Sequence, residues 1–169
     1  MPATIKVLMV CLGNICRSPT AEGVLRSQVQ RAGLDTRILV DSAGTSDWHT
    51  GEAPDPRSIR HAAQRAYDLA SLRARQVTAQ DFEHFDCILA MDRQNLRDLQ
   101  QCCPPQHLHK LALFLQHGSG ALQEVPDPYE HGPERFEQVL DLVEEASGGL
   151  LRQLQTLLQQ QDACQQDGT

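Results

Sequence analysis

Cys11 and Arg17 bracket the residues Leu12-Gly13-Asn14-Ile15-Cys16, and Ser18-Pro19 follows directly. A thiol and a guanidinium at this spacing suit phosphate chemistry. The amides of a tight turn ahead of a helix point inward and cradle an anion. Gly13 and Asn14 are the residue types able to take positive φ and curl such a turn. Arg17 offers a planar fork matched to two phosphate oxygens. A cysteine at the bottom of an electropositive cup is biased toward the thiolate. Attack by Cys11 on phosphorus would then give a cysteinyl-phosphate, its equatorial oxygens held by the loop amides and Arg17. Ser18 is placed to donate a hydrogen bond to Cys11 and ease its departure. The plainer alternative has Cys11 ending a buried strand and Arg17 capping the turn. No G-x-x-x-x-G-K-[ST] occurs, which removes a nucleotide-binding reading of the turn.

Expelling a phenolate is costly, because phenol has a pKa of about 10. A general acid on a second loop is therefore required. Pro126-Asp127-Pro128-Tyr129 is the best candidate, with two prolines stiffening the chain around one carboxylate. Tyr129 would wall a slot for an aromatic ring. Asp-Pro is also an ordinary turn dipeptide, so local sequence leaves Asp127 open.

The elements that must position these groups follow from periodicity. Ile5 to Val10 is a short apolar run that reads as a buried strand. Ser18-Pro19 reads as a helix start, with Ser18 at the N-cap. Ala21, Val24, Leu25, Val29 and Ala32 then recur at helical spacing, and Gly33 supplies the stop. Arg37 to Ser42 reads as a second strand, and 43–56 as a long loop. Arg57 to Tyr67 reads as a helix, and 78–85 as a short helical turn. Cys87 to Met91 reads as a third strand, Asp92 to Gln101 as a helix capped by Asp92, and Lys110 to Leu115 as a fourth strand. His107-Leu108-His109, the only tight histidine pair, reads as the polar start of that strand, with a metal role as the weaker alternative because no clear acidic or thiol partners accompany it. Residues 118–132 form another loop. Phe136, Val139, Leu140, Val143, Leu150, Leu151, Leu154 and Leu158 mark a final amphipathic helix, weakened at Gly148-Gly149 by roughly 1 kcal/mol per glycine. This β-α alternation predicts a four-stranded parallel, doubly wound sheet with helices on both faces, a three-layer α/β/α fold. Ligands in such sheets bind at the carboxyl ends of the strands, where the turn from Cys11 to Ser18 lies. Residues 1–158 are expected to form one domain, and the Gln-rich segment 159–169 a disordered tail.

Composition narrows the class. The formal net charge of −7 argues against a nucleic-acid binder. Arg57, Arg60, Arg65, Arg73 and Arg75 are read either as a docking patch or as a solvated helix face. No run approaches the ~20 apolar residues a membrane helix needs, and the start does not read as a signal peptide. The expected location is therefore the cytoplasm. There Cys11, Cys16, Cys87, Cys102, Cys103 and Cys164 should stay reduced.

Taken together, Val10 to Pro19 resembles the signature of the low-molecular-weight protein tyrosine phosphatases. Asp41-Ser42-Ala43-Gly44-Thr45, Trp48-His49, Gly51-Glu52, Pro54-Asp55-Pro56-Arg57, Ala74-Arg75-Gln76, Ala90-Met91-Asp92 and Asp127-Pro128-Tyr129 are similar to later blocks of that family, in the same order. The resemblance runs from about Ile5 to about Leu158 and implies a phosphotyrosine phosphatase domain. It implies Cys11 as nucleophile, Arg17 as phosphate clamp and Asp127 as general acid, then base. Leu12, Gly13, Asn14, Ile15, Cys16 and Ser18 would form the phosphate-binding loop, with Asn14 and Ser42 holding its shape. Leu12, Trp48 and Tyr129 would line the slot for the phenyl ring. No metal or organic cofactor is implied. The implied partners are phosphotyrosine-containing proteins, a bacterial tyrosine kinase among them. Neither nucleic acid nor membrane is implied, and the chain would be a monomer or weak dimer. The resemblance also implies a reversible Cys11–Cys16 disulfide under peroxide; the bland reading is that Cys16 only packs.

Two positions depart from the family. Leu72 stands where many members carry a histidine packed beneath the loop, which puts the usual support network in question. Glu130 follows Tyr129 where some members have a second aromatic. Rival readings remain. A thiol-dependent arsenate reductase would need a cysteine relay. A protein arginine phosphatase would carry Thr where Ile15 stands. A binding module without turnover would have lost Cys11, Arg17 or Asp127.

Overall fold

The computed structural model describes residues 2–167. Four parallel strands, β1 (Ile5–Cys11), β2 (Ile38–Gly44), β3 (Cys87–Ala90) and β4 (Leu111–Leu113), form one sheet in the order β2-β1-β3-β4. The expected three-layer α/β/α architecture is the one observed. β1 lies between two neighbours, and Val7, Leu8, Met9 and Val10 are wholly buried. Its residues alternate between two cores. Val7, Met9 and Cys11 face the layer of α1 (Arg17–Arg31) and α5 (Pro133–Asp167). Leu8 and Val10 face Phe82 of α3 (Ala79–His84) and Leu99 of α4 (Arg93–Cys102). A further helix, α2 (Pro56–Gln64), packs against α5. The chain adds β2 on one side of β1, then crosses to β3 and β4 on the other. Such a reversal opens a crevice beyond the carboxyl ends of the strands.

Several local expectations change. The segment 107–109 lies in a 3-10 turn (Pro105–Lys110) and not at a strand start, and a second 3-10 turn (Phe114–His117) replaces the end of the expected fourth strand. Ala32, expected to face the core, is exposed at the end of α1. The tail expected to be disordered from Gln159 instead continues α5 as helix to Asp167. The Arg37 fork holds it, donating to both Asp162 oxygens at 3.0 and 2.7 Å. Glutamine is also a good helix former, so low apolar content does not by itself break a helix. The arginines read as a docking patch or solvated face are largely engaged within the protein. Arg57 pairs with Asp55, Arg65 with Glu137, Asp141 and Glu144, and Arg75 with Asp41 and Asp81. No helix of the described residues is long and apolar enough to cross a membrane.

The Gly148-Gly149 pair does not interrupt α5, and its two members differ. A Cβ on Gly149 would collide with the His117 carbonyl, whereas one on Gly148 would meet only Arg152 Nη1 at 3.7 Å. Gly149 therefore lets the second 3-10 turn lie against the helix. Gly149→Ala should destabilise the fold by about 1–3 kcal/mol through overpacking. Gly148→Ala should stabilise it by up to about 1 kcal/mol through helix propensity. Paired thermal melts check this; shifts of the same sign would contradict the assignment.

Candidate active site

β1 ends at Cys11 and α1 begins at Arg17, so the phosphate-type loop is the bare connection between them. Helix α1 starts one residue before the expected Ser18 cap, with Cys16 at the N-cap position and no side-chain cap. Ser18 is thereby freed from capping, and its Oγ lies 3.0 Å from Cys11 Sγ. Asn14 takes positive φ (58°), as expected, and its N–H donates to Cys11 Sγ at 3.3 Å. Gly13 does not take positive φ. Its missing side chain serves proximity instead: a Cβ there would stand 3.0 Å from His49 Cδ2.

The hydrogen bonds behind this loop have a defined direction. Asn14 Nδ2 donates to Ser18 Oγ at 2.8 Å and to Ser42 Oγ at 3.0 Å. Both amide hydrogens are thus used, and both serine oxygens act as acceptors. The Ser42 proton goes to Glu22 Oε1 at 2.6 Å. The Ser18 proton is left for Cys11 Sγ at 3.0 Å, with the Ala43 carbonyl a longer alternative at 3.5 Å. Asn14 Oδ1 is held by the Arg75 N–H at 3.0 Å. Arg75 is itself fixed by a fork onto Asp81 and a bond to Asp41. Burial would raise the Asp81 pKa, but Arg75 and the Thr78 N–H outweigh it and hold it below the usual carboxylate range.

Sequence reasoning missed Glu22 and Arg26 altogether. Glu22 is buried, and Arg26 Nη2 lies 2.6 Å from its Oε2 while also donating to the Val40 carbonyl. Burial pushes the Glu22 carboxyl up in pKa, against the opposing pull of Ser42 and Arg26. Their one-turn spacing on α1 was the available signal. Leu72 is partly buried against the main core and takes no part in this network. Here Asn14 is held by Ser42, itself backed by Glu22 and Arg26, and by the Arg75 main chain.

Arg17 is only 3% exposed. One edge of its fork is anchored: Nη1 donates to Asp92 Oδ2 at 2.7 Å and to the Val125 carbonyl at 3.0 Å. Nη2 lies 3.8 Å from Asp127 Oδ2. Burial works against the guanidinium charge, but Cys11, Asp92 and Asp127 outweigh it and raise its pKa. Asp92 was read as a helix cap alone. It does both tasks, accepting the Asn95 N–H on Oδ1 and Arg17 on Oδ2. Its place just beyond β3, on the same rim as Cys11, was the clue to the second.

The loop carrying Asp127 is brought over this rim by the Val125 N–H, which donates to the Met91 carbonyl at 2.8 Å. Asp127 is half-exposed, and its Oδ1 accepts the Tyr129 N–H at 3.1 Å. Cys11, Leu12, Gly13, Ile15, Cys16, Arg17, Trp48, Asp127 and Tyr129 line one open cleft of about 450 Å³, together with His49, Glu130 and His131. Trp48 is 70% and Tyr129 48% exposed, so two aromatic rings present surface at its mouth. Asn14, Ser18 and Ser42 lie buried behind the loop. Burial pushes the Cys16 thiol up to about 12, so it stays protonated at neutral pH. Among the described residues no group of three His, Cys, Asp or Glu side chains could hold a metal ion.

Known proteins share this arrangement of sequence and fold. The low molecular weight phosphotyrosine protein phosphatase family matches residues 6–161. A low molecular weight phosphotyrosine protein phosphatase of Schizosaccharomyces pombe is 44% identical over 80% of this chain and 88% of its own. A low molecular weight protein-tyrosine-phosphatase of Streptomyces coelicolor is 42% identical over 88% of this chain and 92% of its own. The crystal structure of a protein tyrosine phosphatase from Entamoeba histolytica superposes with a TM-score of 0.88 at 38% identity, covering 90% of this chain and 98% of that one. A match spanning nearly the whole chain, joined to this fold, places the protein in the low molecular weight phosphotyrosine protein phosphatase family.

Proposed function

We propose that this protein-tyrosine-phosphatase hydrolyses phosphotyrosine through a cysteinyl-phosphate intermediate. The observation that carries the reading is the convergence of Cys11, Arg17 and Asp127 on one cleft walled by Trp48 and Tyr129. The loop amides and the unanchored edge of Arg17 take the phosphate oxygens. Cys11 Sγ attacks phosphorus, the bond to the phenolic oxygen breaks, and Asp127 gives that oxygen its proton. Asp127 as carboxylate then removes a proton from water, which attacks phosphorus. The S–P bond breaks, and the Ser18 proton stabilises the departing thiolate. Asn14 and Ser42 keep Ser18 aimed at sulfur. Leu12, Trp48 and Tyr129 enclose the ring. The partners this slot would take are phosphotyrosine-bearing proteins, a tyrosine kinase among them. Six free cysteines suit a reducing compartment such as the cytoplasm.

The rivals fit less well. Cys87 pairs with Val7, four residues before Cys11 on β1, which separates it from the nucleophile by about 13 Å along the strand. Cys102 and Cys103 end α4, on the far side of the sheet. Neither arrangement offers Cys11 a thiol relay for arsenate. Ile15 presents no hydroxyl to the cleft for a guanidinium substrate. A panel of phosphotyrosine, phosphoserine, phosphoarginine and arsenate should show turnover of the first alone.

Cys11→Ser should abolish turnover while retaining inorganic phosphate binding by calorimetry; residual burst kinetics would exclude Cys11 as nucleophile. Asp127→Ala should lower kcat/KM on phenyl phosphate by about 10²-fold or more. An ester of a strongly acidic phenol needs no proton and should lose much less; equal losses would refute the acid role. Peroxide should convert Cys11 to a sulfenic acid, which the Cys16 thiol displaces as a disulfide with loss of water. The high pKa of Cys16 makes that second step slow. Non-reducing peptide mapping should find the Cys11–Cys16 bridge, and sulfinic acid at Cys11 without any bridge would count against it.

A further inference from the structure

Arg57 lies on α2, outside the loop that follows Cys11, yet it joins that loop to the one carrying Asp127. The Asp55 N–H donates to the Ile15 carbonyl at 2.8 Å, tying the start of α2 to the phosphate-type loop. The Asp55 carboxylate in turn fixes Arg57, accepting from its N–H at 2.8 Å, Nε at 3.0 Å and Nη2 at 2.9 Å. Held this way, Arg57 Nη2 donates to the Tyr129 carbonyl at 2.7 Å, and Nη1 reaches the His131 carbonyl at 3.5 Å. Its guanidinium also lies 5.6 Å from the Tyr129 ring centroid and 4.7 Å from that of Phe136 on α5. Both backbone groups of Tyr129 are thus engaged, its carbonyl accepting from Arg57 and its N–H donating to Asp127 Oδ1. Among the described residues, the hydrogen bonds that reach 126–131 from the rest of the protein come from Arg57; the Arg135 N–H on the Gly132 carbonyl at 3.1 Å ties the segment only at its far end, and Arg17 adds its 3.8 Å ion pair to Asp127.

We propose that Arg57 is a positioning residue for proton transfer, holding the Asp127–Tyr129 segment at working distance over the Cys11 loop. The inference rests on the acid role given to Asp127. A fork is needed because one guanidinium must satisfy Asp55 and the Tyr129 carbonyl at once. Loss of the tie would let the half-exposed Asp127 carboxylate drift from the leaving oxygen. Displacements of about 1 Å cost rate steeply in an oriented proton transfer. The nucleophile and the Arg17 clamp, held by other contacts, would remain in place.

The test compares wild type, Arg57→Met, Asp127→Ala and the double variant by kcat/KM on phenyl phosphate and on 2,4-dinitrophenyl phosphate. Iodoacetate alkylation of Cys11 and inorganic phosphate affinity report on the cup. Arg57→Met should lose about tenfold on phenyl phosphate, a fraction of the full general-acid contribution, and much less on the dinitrophenyl ester. Alkylation rate and phosphate affinity should hold, and adding Arg57→Met to Asp127→Ala should bring no further selective loss. Arg57→Lys keeps a charge beside Asp55 without the fork, and should show the same selective loss to a smaller degree. Equal losses on both esters, or none, while Asp127→Ala remains selective, would overturn the role of Arg57 alone. Asp127→Ala losing equally on both esters would overturn the acid assignment and this inference with it.

Discussion

The site depends on a single amide whose two hydrogens are both committed. Asn14 donates to Ser18 and to Ser42, and this sets the direction of the surrounding protons. Ser18 has its nearest outlet for its own hydrogen at Cys11, with the Ala43 carbonyl farther away, and Ser42 turns its hydrogen toward Glu22. A hydroxyl that could rotate freely would offer sulfur a lone pair as readily as a proton. Here the choice is made by residues that never meet the cleft. The positive φ of Asn14 belongs to the same device, since it swings the N–H onto Cys11 Sγ while the side chain points back into the protein.

That arrangement requires an acceptor at its far end, and the acceptor is a buried carboxylate. An ionised group out of water costs several kcal/mol unless it is paired. Glu22 meets Ser42 on one oxygen and Arg26 on the other. Arg26 is 45% exposed, so water screens its charge and the pair is weaker than its 2.6 Å separation suggests. Burial accordingly prevails in the raised pKa of Glu22. Leu72, partly buried against the apolar core, takes no part in these bonds. Asn14 is held by Ser42 and by the backbone N–H of Arg75.

The parallel sheet explains why distant residues meet. Every strand points its carboxyl end at the same edge, so the segments after β1, β2, β3 and β4 converge there. Gly44, at the end of β2, permits the closest approach: a Cβ on it would stand 2.7 Å from the Leu12 carbonyl. Asp92 and Val125 then clamp one edge of Arg17, leaving the other toward the cleft. A guanidinium held in this way has lost most of its rotamer freedom in advance, which lowers the entropic cost of any contact its free edge makes.

Much of this was legible in the chain because it is written in short-range pattern. The buried β1 run, the Cys11–Arg17 spacing, the positive φ of Asn14, the Asp92 cap and the apolar face of α5 all follow from neighbours a few residues apart. The family blocks added Ser42, Trp48 and Asp127 as members of one site. Errors arose where a local preference met a tertiary contact. Ser18 was read both as a cap and as a donor to sulfur, and the cap position went to Cys16; Gly13 looked like a left-handed residue and instead made room for His49. The Gln-rich tail looked unstructured until Arg37 was found against Asp162. Which partner each charge would choose, Arg17 for Asp92, Glu22 for Arg26 or Arg57 for the Tyr129 carbonyl, was settled only by the fold. Ion pairs and hydrogen bonds depend on distances of a few ångströms, and packing sets those distances between segments that sequence order leaves far apart.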